Sequence, residues 1–224
     1  MVKHNAQTRR RGSLTLLHLS DLQFGVNYRF AGVEMTGFKN PHDTLLSRLQ
    51  QDLRLLAEQK GIRPDLVIVT GDLAEWGKTE EFTLARNFLE KLIDREHLNL
   101  PRERVAIIPG NHDINRKACE AYFNNCDADG LKPVAPWWPK WRHYSDEMFS
   151  QFYDKRSFYT FSQEQPWTFF EVKDLRVAIA GLNSTIFDGH DCSKLGVESN
   201  CVLPRHVGFC GEMQLRSAQK WLES

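Results

Sequence analysis

Asn111, His112 and Asp113 stand in a row with no spacer, directly after Pro109 and Gly110. An amide oxygen, an imidazole and a carboxylate in consecutive positions can bind a metal ion, move a proton or hold a phosphate. Upstream, Asp21 and Gln23 are one residue apart, and Asp72 follows Gly71. Three short polar clusters, spread over some ninety positions, thus carry carboxylates, amides and one histidine.

The run before each cluster says how they meet. Leu14 to Ser20 leads into Asp21, Leu66 to Thr70 leads into Gly71-Asp72, and Val105 to Ile108 leads into Pro109-Gly110. Short apolar runs rich in β-branched residues read as buried parallel strands. Such a strand delivers the residues after it to the carboxyl edge of the sheet, where open α/β folds bind ligands. One Asp after a strand is an ordinary turn residue or helix cap. Three polar strand ends in succession are much harder to explain as turns.

The intervening segments have helical spacing. Pro41 to Lys60 carries leucines at 45, 46, 49, 53, 55 and 56 and is closed by Gly61, while Lys78 to Arg95 would turn Phe82, Leu84, Ala85, Phe88, Leu89 and Leu92 inward. Alternating strands and helices imply right-handed crossovers and a largely parallel sheet. The aromatic loop from Phe24 to Asn40 borders the expected site and is a candidate pocket wall, and His18, inside the first strand, is expected to be a core histidine. Beyond Asp113 the pattern predicts a short helix over 115–126, a rigid Pro- and Trp-rich insertion over 133–141 and a helical segment over 142–153. The tryptophans of that insertion are expected in satellite core rather than in a base-stacking platform. A hairpin over 167–182 turns at Lys173-Asp174, Asn183 follows it as a turn residue, and a helix spans 212–222.

Asp21-Leu22-Gln23, Gly71-Asp72 and Gly110-Asn111-His112-Asp113, each after a strand, resemble the first three motifs of the calcineurin-like metallophosphoesterases. The resemblance is strong over roughly the first half of the chain. It implies an α/β fold: a two-layer β sandwich flanked by helices. It also implies two divalent metal ions, Mn²⁺ first, with Fe, Zn or Mg as alternatives. Asp21 and Gln23 would hold one ion, Asn111 the other, with Asp72 bridging. His112 would protonate the leaving oxygen and Asp113 would orient His112 by taking its other ring proton. The implied reaction is hydrolysis of a phosphomono- or phosphodiester by a metal-bound hydroxide. Gln23 stands where the family pattern has His, and its neutral amide oxygen tilts the first site toward hard ions such as Mn²⁺ or Mg²⁺.

The family's later motifs, a lone His and a Gly-His-x-His, are not found; Gly189-His190-Asp191 lacks the second His. His143 and His206 carry no spacing signal. The expectation is therefore an N-terminal portion of a longer polypeptide, truncated before the strand that bears the remaining ligands, with a sheet edge left to pair with a copy or with a missing C-terminal segment. The alternative is a non-catalytic scaffold or regulatory module with a degenerate metal site. Residues 1–13 read as a flexible basic arm and 14–224 as the phosphoesterase domain.

Lysine plus arginine equals aspartate plus glutamate at 29 each, so no global basic excess argues for nucleic acid, and the expected partner is a phosphate-ester substrate, with nucleotides and nucleic acid both open. Five cysteines with no Cys-x-x-Cys suggest reduced thiols and a cytoplasmic setting. The apolar runs are strand-length, too short for a membrane span.

Overall fold

A computed structural model describes residues 13–27, 41–153, 159–188 and 208–224. The basic arm up to residue 12, most of the aromatic loop (28–40) and the Gly189-His190-Asp191 segment with His206 lie outside the described residues.

Three parallel strands form the first sheet in the order β1 (Leu16–Leu19), β2 (Leu66–Thr70), β3 (Val105–Ile108). Leu16 pairs with Leu66 and Val67 with Val105, so the three strands end level with one another. β2 is central, and its Leu66, Val67 and Val69 are fully buried. Helix α1 (Pro41–Lys60) connects β1 to β2, and α2 (Thr79–Ile93) connects β2 to β3. Phe82, Ala85, Leu89 and Leu92 recur at helical spacing along α2 and are fully buried, which is the stripe that holds this helix on the sheet.

After β3 come α3 (Arg116–Ala128), a 3-10 turn over Trp138–Trp141, a π-helical stretch over Tyr144–Phe149 and the short α4 (Ser150–Tyr153). A second, two-stranded antiparallel sheet follows, β4 (Thr168–Val172) with β5 (Val177–Gly181), and then α5 (Gly211–Leu222). Trp141 is fully buried in the main core and Trp137 nearly so in a small separate cluster with Cys119 and Phe123, while Val134 of the same insertion is exposed. Trp221 of α5 stacks on Phe169 of β4, centroids 4.8 Å apart.

The outer edge of β3 is closed by side chains. Tyr153 donates its hydroxyl to the Val105 carbonyl (2.5 Å) and accepts from the Ile107 N–H (3.2 Å), while Tyr144 donates to the Ile107 carbonyl (3.2 Å). An unpaired backbone group buried there would cost about as much as a lost hydrogen bond. Two tyrosines therefore do the work of a fourth strand.

His18 corrects the expectation of a core histidine. It is exposed, and its Nε2 lies 2.6 Å from the Thr70 hydroxyl across the β1–β2 pair. β1 is the sheet edge on that side, with Leu16 49% exposed, so alternate residues of this strand face out rather than into packing.

Candidate active site at the carboxyl edge of the parallel sheet

The three polar clusters emerge together where the strands end. Past β1 and β2 the backbones stay joined: Asp21 N–H donates to the Gly71 carbonyl (3.3 Å), Gln23 N–H to Asp72 (2.7 Å) and Phe24 N–H to Leu73 (2.7 Å). Phe24 is fully buried with its ring 5.4 Å from that of Phe88, so it anchors the first loop from below. The third cluster is joined to the second by Asp72 itself, whose Oδ1 accepts the His112 N–H at 2.9 Å.

Two glycines make this approach possible. Gly71 has φ +84°, and a Cβ there would meet the Gly110 Cα at 2.7 Å. A Cβ on Gly110 would meet the Asp72 N at 2.6 Å. Both contacts are with backbone and cannot be relieved by a side-chain rotation.

Asp21, Gln23 and Asp72 all have left-handed backbone, with φ of 55°, 45° and 55°. Non-glycine residues avoid this region, and where they are held in it the strain clusters at functional sites. Three of the six such residues among those described are the three sequence-predicted ligands of the first two motifs.

His112 and Asp113 part company in a way the resemblance did not imply. The His112 Nδ1 lies 2.8 Å from the Glu75 carbonyl, and that carbonyl, not Asp113, orients the ring. A carbonyl can only accept, so Nδ1 carries the proton and Nε2 is the nitrogen left to exchange one. Asp113 is fully buried and turned inward: Oδ1 accepts from Ala74 N–H and Oδ2 from Gly110 N–H, each at 2.8 Å. It clamps the second cluster to the third. Burial pushes its carboxyl up to about 7, against the pull of those two N–H groups.

Sequence reasoning passed over several residues here. Glu75 fixes His112 through its carbonyl, and its carboxylate receives the Asn27 N–H (3.0 Å) and side-chain amide (2.5 Å), which hold it below its usual range. Arg116, at the start of α3, is paired with the nearly buried Asp188 at 2.9 Å and donates to the Asn111 carbonyl at 3.3 Å. Lys140 is fully buried, donating to the carbonyls of Thr185, Ile186 and Asp188. Adjacency to the Gly-Asp motif was the only available signal for Glu75, and nothing marked the other two. Asn183 proves to be a buried turn lock, its side chain bonded to the Pro166 carbonyl and to Thr185.

Among the described residues no group of three or more His, Cys, Asp or Glu side chains is placed to hold a metal ion. The residues that the resemblance would assign to metal at the strand ends, Asp21, Gln23, Asp72 and Asn111, offer two carboxylates and two amide oxygens. Donors of that chemistry fit hard ions such as Mg²⁺ or Mn²⁺.

A parallel sheet whose successive strand ends carry Asp-x-Gln, Gly-Asp and Gly-Asn-His-Asp makes this an α/β domain with the motif order that the sequence resemblance implies. The family described as calcineurin-like phosphoesterase matches residues 14–195, and the chain belongs to that family. It is also similar to the glycerophosphodiester phosphodiesterase GpdQ of Enterobacter lignolyticus (strain SCF1), at 36% identity over 74 residues. That match covers 33% of this chain and 20% of the relative, so the chain spans about a fifth of that protein's length. No described helix is long and apolar enough to cross a membrane.

Proposed function

We propose that this chain is the catalytic portion of a metal-dependent phosphoesterase that hydrolyses a phosphomono- or phosphodiester. The observation that carries this reading is the left-handed backbone at Asp21, Gln23 and Asp72, on loops tied to each other and to the Asn111-His112 turn. Strain of this kind persists only where the surroundings enforce it. Family membership and the similarity to a phosphodiesterase supply the reaction class.

In this reading Asp21, Gln23, Asp72 and Asn111 would hold two divalent ions, Mn²⁺ first, with Asp72 serving both. When bound, such ions neutralise phosphate charge and lower the pKa of water. The chain's own residues do the rest. Asp72 fixes the backbone of the third cluster through the His112 N–H. His112, with Nδ1 committed to Glu75 and a second proton on Nε2, passes the Nε2 proton to the leaving oxygen as its bond to phosphorus breaks; the oxygen of water takes its place, and the proton that water gives up restores the one spent by the ring. The products are an alcohol and a phosphate with one fewer ester bond. The two sheets would form the layers of one sandwich domain over 14–224, in a cytoplasmic protein.

The test is hydrolysis of bis(p-nitrophenyl) phosphate with added Mn²⁺, before and after chelation, in the wild type and in Asp72→Asn. Asn keeps an oxygen to accept the His112 N–H but loses the charge. The expected result is activity that chelation removes and a loss of at least about a hundredfold in the variant, with its melting temperature little changed. Wild-type rates in Asp72→Asn would remove Asp72 from the assigned role. The second reading, a non-catalytic module with a weak metal site, draws on the fact that among the described residues no His, Cys, Asp and Glu side chains cluster to hold a metal. A folded wild type that neither binds Mn²⁺ nor turns over would select it.

A further inference from the structure

We propose that the cleft beside His112 takes a phosphate ester bearing a flat aromatic base, a nucleotide or nucleoside phosphodiester, with the base stacked on Trp76. Placing the phosphate at His112 rests on the phosphoesterase reading above.

The cleft has a volume of ≈ 450 Å³, within the range of small-molecule sites, and its wall includes Trp76, Lys78, Asn111, His112 and Arg116. Trp76 is the outlier among the tryptophans. Trp137, Trp141 and Trp167 are buried, Trp138 packs on Phe161, and Trp221 stacks on Phe169. Trp76 is 54% exposed. Its backbone is nevertheless fixed: the N–H donates to Oε2 of the buried Glu81 at 2.8 Å. The residue before it, Glu75, presents the carbonyl that orients His112. The indole and the imidazole are therefore placed by one short stretch of chain.

An exposed indole on a backbone fixed in this way offers a stacking face that every nucleobase can use. The charge of the wall suits an anion. Lys78, Arg116 and Lys117 line it against a single carboxylate, Glu75, which is already engaged by Asn27. Arg116 is held in place by Asp188, and Lys117 also pairs with Glu120 at 3.1 Å. A glycerol-type ester would match these cations equally well but would leave the indole unused.

Calorimetric binding of AMP and of glycerol 3-phosphate, with and without Mn²⁺, separates the two. Trp76→Ala should weaken AMP about tenfold, in line with the loss of one base–aromatic stack. Trp76→Phe should cost no more than about threefold, and neither should alter glycerol 3-phosphate. Equal losses for both ligands, no loss for AMP, or no AMP binding by the wild type would overturn the proposal. The titrations without Mn²⁺ are independent of turnover. Phosphodiester hydrolysis without AMP selectivity would sink this inference and spare the phosphoesterase reading; AMP selectivity through Trp76 without hydrolysis would do the reverse.

Discussion

A histidine that protonates a leaving group matters in proportion to how poor that leaving group is. Because the Glu75 carbonyl commits Nδ1, the whole of any such contribution passes through Nε2 of His112. His112→Ala should therefore lower kcat by about 10²- to 10⁴-fold for an alkyl phosphodiester, the usual range for one proton-transfer group. For a nitrophenyl ester, whose leaving oxygen is stable as the anion, the loss should be about tenfold or less. Parallel kcat measurements on the two esters decide the matter, and equal losses on both would show that His112 positions the site rather than transferring a proton. Asp113 illustrates the opposite case. It sits in the same tetrapeptide, yet both its oxygens are spent on the Ala74 and Gly110 N–H groups, so its contribution is to the shape of the site.

At the scale of elements, the parallel sheet is held open to ligands on one edge and closed on another. Tyr153 reaches β3 from α4 and satisfies both Val105 O and Ile107 N in a fully buried place. Tyr153→Phe leaves both groups without a partner and no water to replace it. The expected cost is about 1–3 kcal/mol, read as a lower urea midpoint with an unchanged slope; an unchanged midpoint would mean that the strand edge is satisfied some other way. The contrast with what the sequence discloses is physical. The three strands, α1 from Pro41 to Lys60 and the 168–181 hairpin follow from short-range periodicity and turn residues, so they were legible. The strand-end positions of Asp21, Asp72 and Asn111 followed from the same runs. The tyrosine caps were not, because the Tyr153–Val105 pair is 48 residues apart and one more tyrosine in an aromatic stretch carries no periodic signal. The partner of His112 was misread for a related reason: a backbone carbonyl has no residue type to recognise.

Across the whole molecule, the half built on parallel strands is tied to the half built on the hairpin by a buried lysine. Lys140, in the Pro-Trp insertion after β3, donates to three carbonyls in the 185–188 turn at 2.6–2.8 Å and lies 4.1 Å from the centre of the Trp141 ring. Three carbonyl acceptors match the three N–H groups of an ammonium, whereas burial disfavours the charge and pushes this amine down to about 7. The two influences oppose each other, and the pH dependence of stability reports which prevails. With a folded value near 7 and an unfolded value near 10.5, the unfolded chain binds more protons between these limits. Stability contributed by Lys140 then rises as pH increases through that window. The stability advantage of the wild type over Lys140→Met, measured by thermal melts at pH 7 and pH 9.5, should accordingly be larger at pH 9.5. An advantage that stays constant would show that the carbonyl cage keeps the ammonium charged throughout, and one that shrinks would put the folded value above the unfolded one. The variant itself should be less stable than the wild type at both pH values, since Met supplies no donor to the buried Thr185, Ile186 and Asp188 carbonyls.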